Sequence, residues 1–477
     1  TKKARVDKDA ETHCTGNTQA KHNLPKTTQI DRVADCSHGT QLGLQFAKQA
    51  PPLTNKQTKQ TPRRLASLLL GLCCLAFVAC FVVGRKGSMD LLDDLTINEI
   101  RGSLLYVAER DQDARNLAKK KLPSMIFDYI DGVALEGDGD YSNSEYFRAL
   151  KLSQNVLAGG GPKKISKRIL GQSYDLPFGI APMGMCNLVS SKADLAIGKL
   201  AKKFNVPVCF STMASTSLEK TLKVTGDLGW FQLYVYDDLK SGLKLAKRAQ
   251  TAGYKTLILT VDVPELGRRP KELKHNFSAK FRPSYKQILD CAMHPKWSLD
   301  LLINGIPRPQ NFDKDLKIDR NKPRGAADWE FLKKLRELWK GKLIIKGILN
   351  PKDALKLERL GADAIYVSGH GSRQFDSCPV PIHQLAKIRR SLKKSTVLIY
   401  DTGIRNGEDI LKALCSGADF VMVGKQALFS IAAEGFEGLV QMTNNLKKEI
   451  EIAMAQMGTF DINRLDASHL ENTFGPK

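Results

Sequence analysis

From about Leu91 onward the chain alternates two textures. Short apolar runs rich in β-branched and aromatic residues stand at 176–185 (LPFGIAPMGM), 206–212 (VPVCFST), 228–236 (LGWFQLYVY) and 256–262 (TLILTVD), and again at 343–349, 364–371, 397–404 and 420–427. Between them lie stretches with helical spacing of apolar positions, such as KADLAIGKLAKKFN, LKSGLKLAKRAQTAG and GEDILKALCSG. A strand that is apolar on both faces is buried on both, the condition of a parallel sheet covered by helices. Eight strand–helix units are the number that closes a TIM barrel. The pattern therefore predicts an α/β fold, a (β/α)8 barrel within residues 89–477. One interval breaks the rhythm. Residues 263–342 are far too many for an ordinary βα loop and predict a long insertion after strand 4, at about 277–325.

The first 64 residues have no sustained apolar period and are rich in Lys, Thr, Gln and Asn, which predicts a basic, disordered region. Leu65–Gly84 then carries no charge over twenty positions, enough to span a bilayer core as a helix. It is a candidate transmembrane helix. Arg63 and Arg64 precede it and Arg85 and Lys86 follow it, so the basic flanks do not orient it. A cleaved signal peptide fits poorly, because the run lies far from the start and lacks a small-residue cleavage site. The expectation is a membrane-associated protein with its catalytic domain on the cytoplasmic side. Met89 is an alternative start; a chain beginning there would be cytoplasmic.

The formal charge of +23 favours anionic ligands or an acidic membrane face over neutral partners. No nucleic-acid partner is expected, since the basic residues form no aromatic-interleaved array. Ten cysteines without a CxxC pair or a Cys/His metal spacing read as reduced, buried side chains, and no metal site is expected.

In such a barrel, chemistry sits at the C-terminal ends of the strands. Those ends carry Met183 and Gly184, Ser211, Gln232 and Tyr234, Thr260 and Asp262, Lys346, residues 368–373, residues 401–405, and Gly424 with Lys425. Singly, each has a structural explanation, because buried polar groups are mostly just hydrogen-bonded. Their convergence on one rim points to a site. DTGIRNGED sets Gly403 and Gly407 around Arg405 just before a helix expected near Glu408, and Gly424–Lys425 repeats the arrangement. A glycine turn at a helix N-terminus offers free N–H groups and a favourable dipole to an anion, here read as a phosphate after strands 7 and 8. SGHGSRQFD (368–376) places His370 between glycines, where backbone can approach a flat ligand. A His is the natural base near neutral pH, and Arg373 can grip a carboxylate with two parallel hydrogen bonds. Arg268 or Arg269 in LGRRP supplies a second clamp. One base and two carboxylate clamps suggest a small acid with an abstractable hydrogen.

These motifs resemble the FMN-dependent L-2-hydroxy acid oxidase and dehydrogenase family, which includes glycolate oxidase, lactate oxidase and the lactate and mandelate dehydrogenases. SGHGSRQFD is similar to the family's SNHG-x-RQ-D signature. The likeness runs from KLPSMIFDYIDGVALEGD through APMGM, WFQLYVY, LTVDVPELGRR, IIKGIL and DTGIRNG, over nearly all of residues 100–470. The resemblance implies oxidation of an L-2-hydroxy acid to the 2-keto acid, FMN as cofactor, and a homo-oligomer, a tetramer. It implies His370 as the base, Asp262 as its orienting partner, and Tyr234 near the substrate hydroxyl. Arg373, Arg269 and Tyr129 would bind the substrate carboxylate, and Lys346 would lie beside the flavin N1 region. Ser211, Gln232, Thr260 and Ser368 match ring or ribityl contacts, and Asp401, Gly403, Arg405, Gly424 and Lys425 the ribityl and phosphate end. The chain departs from the family at Gly369 (usually Asn), Ser372, Thr402 (usually Gly or Ser), Met183, Met213 and Lys425 (usually Arg).

The insertion bears on the electron acceptor. SYKQILDCAMHPKWSLDLLINGIPRPQNF (284–312) resembles the same segment of the membrane-associated mandelate and lactate dehydrogenases. That implies a quinone or respiratory acceptor and a membrane contact through Trp297, Leu299, Leu301, Leu302 and Ile303. A lid or subunit contact is the alternative use of such a loop. An oxygen-dependent oxidase producing hydrogen peroxide is the second functional reading. An inactive, membrane-tethered binding protein is the third.

Overall fold

The computed structural model describes residues 111–236, 239–276, 283–312 and 324–472. The expectations for residues 1–64 and 65–84, and the edges of the insertion, lie outside these. Eight strands form a closed barrel: β1 (Phe178–Met183), β2 (Val208–Ser211), β3 (Gly229–Leu233), β4 (Thr256–Thr260), β5 (Lys342–Lys346), β6 (Ala364–Val367), β7 (Val397–Tyr400) and β8 (Phe420–Val423). Every neighbouring pair is parallel, and β8 pairs β1 to close the ring. The (β/α)8 fold read from the spacing is the fold observed. The strands are shorter than the apolar runs, because each run continues past its last ladder residue into the loop that carries polar groups.

Alternation along each strand decides what faces inward. Cys209, Trp230, Ile258, Ile344, Tyr366, Ile399, Phe420 and Met422 fill the barrel interior. The outward residues join a larger core under the surrounding helices, with Phe231, Leu257, Leu343 and Val421 wholly buried. Two residues beyond the inward Cys209, Trp230, Ile258, Ile344, Tyr366 and Ile399 come Ser211, Gln232, Thr260, Lys346, Ser368 and Asp401. The same period of two that packs the interior therefore aims these polar side chains at one end of the barrel.

The insertion is docked to this end. Its helices Tyr285–Ala292 and Pro295–Asn304 are each short. The Trp297 indole, 8% exposed, donates to Leu188 O at 2.8 Å. The Asp300 carboxylate accepts both Ser191 N–H (2.8 Å) and Ser191 O–H (2.7 Å). Asp290 accepts Ser124 N–H at 2.7 Å. Trp297 and Leu301, expected on a membrane-facing surface, instead pack toward the core, because an indole N–H buries cheaply only where it finds an acceptor. Leu299, Leu302 and Ile303 do face outward, joined by Tyr285, Ile288, Met293 and Ile306, with Leu302 81% exposed. Among the described residues no helix is long and apolar enough to cross a membrane.

Trp297 is thus the bolt of the insertion. Trp297→Ala should release residues 283–312, seen as rapid limited proteolysis within that segment while the barrel fragment stays protected. Equal resistance in variant and parent would show that the insertion is held by other contacts.

Candidate functional site

A cavity of about 590 Å³ opens at the C-terminal end of the barrel. Its walls include Tyr129, Ser211, Tyr234, Arg269, Lys346, His370, Arg373, Asp401, Gly403, Arg405, Gly424 and Lys425. Asp262, Gln232, Thr260 and Ser368 do not line it. Asp262 stands behind His370, and the other three are buried at the strand ends beneath. A larger cavity, about 890 Å³, backs onto Asp262 and His370 from the opposite side. No arginine or lysine lines it, so an anion has no partner there.

His370 follows β6 in a short 3-10 turn, with its own φ at +55°. Its Nδ1 lies 2.9 Å from Asp262 Oδ1, and its Nε2 lies 3.2 Å from the Tyr234 hydroxyl. The Asp262 carboxylate places the imidazole proton on Nδ1, so Nε2 keeps its lone pair and accepts from Tyr234 O–H. Burial alone would raise the Asp262 pKa; the His370 imidazole and the Lys346 ammonium outweigh it and hold the carboxyl below its ordinary value. Burial and the Asp262 charge push the Tyr234 phenol up, so it stays a donor. Asp262 Oδ2 is buried without a hydrogen-bond partner. Gly347 makes room for this carboxylate. Its φ is +104°, and a Cβ there would stand 2.4 Å from Asp262 Cγ.

A second network ties the strand ends together below the cavity. Lys346 Nζ donates to Ser368 Oγ (2.7 Å) and pairs with Asp401 Oδ2 (3.2 Å). Ser368 Oγ donates to Asp401 Oδ1 (2.5 Å) and accepts His370 N–H (3.0 Å). Thr402 Oγ1 donates to Asp401 Oδ1 at 2.9 Å and accepts the N–H groups of Gly369 (3.0 Å) and Gly371 (3.2 Å). Gln232 Oε1 accepts from Ser211 Oγ at 2.8 Å, while Gln232 Nε2 and Thr260 Oγ1, both buried, have no partner. Two orphaned buried polar atoms beside the cavity floor fit a bound group that supplies their hydrogen bonds.

On the side expected to bind a carboxylate, the fork of Arg373 is already engaged. Nη1 donates to Tyr129 O and Gly132 O, both at 2.8 Å, and Nη2 reaches Glu272 Oε1 at 2.5 Å. Arg269 Nε lies 3.1 Å from the same Glu272 oxygen. Glu272, which motif reading missed, joins the two arginines. Its signal is the i,i+3 spacing in RRPKE at the start of a short helix. Tyr129 O–H donates to Gly184 O at 3.0 Å.

The phosphate-type turn differs from its sequence reading. The helix expected near Glu408 runs Gly407–Cys415, and two N–H groups of its first turn, with that of Arg405 just before it, are taken. Gly407 N–H donates to Glu449 (2.6 Å), Asp409 N–H to the Asn406 cap (2.8 Å), and Arg405 N–H to Asp409 (3.0 Å). The cationic groups left at this end are Arg405, loosely paired with Asp111 at 3.4 Å, and Lys425. Lys425 opens the helix Lys425–Gln456, whose N-cap Gly424 supplies no side-chain bond. Burial, helped by Arg373 and Arg405 and opposed by Asp140 and Asp131, pushes Lys425 down to about 7. The glycine before His370 also has a different reason from the expected ligand approach. A Cβ at Gly369 would meet Pro381 Cγ at 2.6 Å.

Gly347→Ala should drive Asp262 off His370 and cost about 1–3 kcal/mol of stability by chemical denaturation, from positive φ and the clash together. A variant as stable as the parent would remove Gly347 from this role.

Comparison with known proteins agrees with this geometry. The family model described as FMN-dependent dehydrogenase matches residues 118–472. The (S)-mandelate dehydrogenase of Pseudomonas putida is 34% identical over 371 residues, covering 76% of this chain and 93% of that protein. An L-lactate dehydrogenase of Pectobacterium atrosepticum is 32% identical, covering 73% and 93%. Among solved structures, that of the monotopic membrane protein (S)-mandelate dehydrogenase superposes with a TM-score of 0.73 at 33% identity, covering 76% of this chain and 99% of that one. A mandelate oxidase structure matches at 28% identity with a TM-score of 0.66, covering 77% and 100%. With the match spanning the whole barrel and its rim, the chain belongs to the FMN-dependent dehydrogenase family.

Proposed function

We propose that the protein oxidises a small L-2-hydroxy acid to the 2-keto acid, with His370 as the base. The observation that carries this reading is the lone pair of His370 Nε2, aligned by Asp262 behind it and placed in one cavity with Arg269 and Arg373. The reaction removes two electrons and two protons from the alcohol carbon and its hydroxyl, and bound FMN supplies the two-electron acceptor. His370 takes up one of those protons, the other would go with the two electrons to the flavin, and Asp262 stabilises the imidazolium that results. Tyr234 holds the substrate hydroxyl against the imidazole. Arg269, Arg373 and Tyr129 bind the carboxylate, with Glu272 fixing both guanidinium groups. Lys346, Ser211, Gln232, Thr260 and Ser368 would hold the flavin ring, and the orphaned Gln232 Nε2 and Thr260 Oγ1 support that assignment. Asp401, Gly403, Arg405, Gly424 and Lys425 would hold the ribityl and phosphate end.

The acceptor in this reading is a quinone or another respiratory carrier reached at a membrane surface. Support comes from the outward apolar residues of the insertion, interleaved with exposed Lys286 and Lys296, which suit an anionic bilayer face. A relative solved as a monotopic membrane protein points the same way. The test is anaerobic: L-lactate or L-mandelate should bleach the flavin, and air admitted afterwards should reoxidise it slowly. Prompt reoxidation with stoichiometric peroxide would make the protein an oxidase instead. His370→Gln should keep its flavin and lose turnover by at least ~10²-fold; undiminished turnover would remove His370 as the base.

Lys425 adds a pH dependence. An amine lowered to about 7 is half neutral there, whereas a phosphate dianion favours its charged form. Binding therefore takes up a proton, and FMN affinity should fall as pH rises through and beyond 7. Titration of the apoprotein should show a dissociation constant roughly tenfold larger at pH 8.5 than at 6.5, a dependence that Lys425→Met abolishes. A flat profile in the parent would exclude Lys425 from the phosphate site.

A further inference from the structure

Besides Arg269, Arg373 and Arg405, two further arginines line the cavity, the exposed Arg268 and Arg324, and the reaction just described uses neither. Arg324 lies where the chain returns from the insertion toward β5. Its position is fixed by its neighbours: Gly325 bridges Val235, and Ala326 N–H donates to Val235 O at 3.2 Å. A Cβ at residue 325 would stand 2.5 Å from Pro264 Cα, so only glycine lets the backbone pass this close. The result is an arginine in the cavity wall beside Tyr234, its guanidinium carbon 5.7 Å from the centre of the phenol ring.

Arg324 differs from Arg269 and Arg373 in its partners. Arg269 and Arg373 share Glu272, and Arg373 also holds two carbonyls. Arg324 Nε is buried without a hydrogen-bond partner, and no carboxylate among the described residues pairs with it. Among the described residues, Glu272 is thus shared by Arg269 and Arg373, and no carboxylate pairs with Arg324. Burial first, then the charges of Arg373 and Arg324, lower the Arg269 pKa, while Glu272 and Tyr129 oppose them. A buried cation donor without an acceptor is costly, and the cost rises when a ligand displaces the remaining water.

A substrate carboxylate at the reacting end meets Arg269 and Arg373. A substrate with a purely alkyl side chain would leave Arg324 unpaired in a drier cavity. A second anionic group would complete it with charge-assisted hydrogen bonds. We propose that Arg324 determines specificity, receiving a distal carboxylate, so that the preferred substrates are L-2-hydroxy dicarboxylates. This rests on the 2-hydroxy acid reading above and narrows it.

The experiment uses the full-length holoenzyme and isosteric pairs: L-malate against L-2-hydroxy-4-methylpentanoate, and L-2-hydroxyglutarate against L-2-hydroxy-5-methylhexanoate, with L-mandelate alongside. Anaerobic flavin reduction gives kcat/KM for each. The charged member of at least one pair should lead its neutral isostere and L-mandelate by at least about tenfold, the scale of one charge-assisted contact. Added salt should erode that lead, and Arg324→Met should reduce it about 10- to 100-fold, with Arg324→Lys keeping part of it. The salt dependence of the parent decides the matter even if the methionine variant fails to fold. A lead for the neutral isosteres or L-mandelate, or a ratio that Arg324→Met leaves unchanged, would overturn the proposal and leave the hydroxy acid reading standing. No flavin reduction by any of these acids would overturn that reading, and the proposal with it.

Discussion

The 2.9 Å contact between His370 Nδ1 and Asp262 Oδ1 joins the ends of β4 and β6, 108 residues apart in sequence, and the rest of the site is arranged around it. It settles which imidazole nitrogen carries the proton, and hence which one can receive another. A carboxylate this buried would ordinarily prefer to be neutral. It stays charged because the imidazole and Lys346 lie near it, and Lys346 is in turn held by Ser368 and Asp401. Removing any one of these shifts the charge balance of the others, which is how a coupled polar network behaves in a low-dielectric interior.

The loop that carries His370 is held in costly backbone. His370, Ser372 and Thr402 all have positive φ, and for a β-branched residue such as Thr402, at +85°, this is a true outlier. The Thr402 hydroxyl offsets part of that cost by gripping the N–H groups of Gly369 and Gly371 and anchoring them to Asp401. Two departures from the family pattern thus belong together. Gly369 leaves no side chain against Pro381, and Thr402 supplies from the neighbouring strand end the polar contacts that position the loop.

The barrel was legible because its signal is repeated: eight apolar runs at regular intervals, each buried on both faces. The inward polar set was legible for the same reason, since Ser211, Gln232, Thr260, Lys346, Ser368 and Asp401 follow the interior residues at a spacing of two. What stayed hidden depends on contacts between distant segments. Glu272 and Arg324 sit in the irregular stretch between β4 and β5, where no periodicity marks a direction. Glu449, more than forty residues from Gly407 in a helix on the barrel's outside, takes the Gly407 N–H that the DTGIRNG motif alone leaves free. Trp297 reads as a membrane anchor from its neighbours and becomes a structural bolt only once Leu188 O is found opposite its N–H.

In the proposed reaction, proton transfer at His370 depends on a charged Asp262 behind it. The most direct measurement is the rate constant of anaerobic flavin reduction in Asp262→Asn, followed by rapid mixing with a saturating hydroxy acid. The amide keeps the shape but removes the charge that fixes the tautomer and stabilises the imidazolium. The expected result is full flavin occupancy with reduction slower by roughly 10²- to 10⁴-fold. Reduction within a few-fold of the parent, with flavin still bound, would contradict the account.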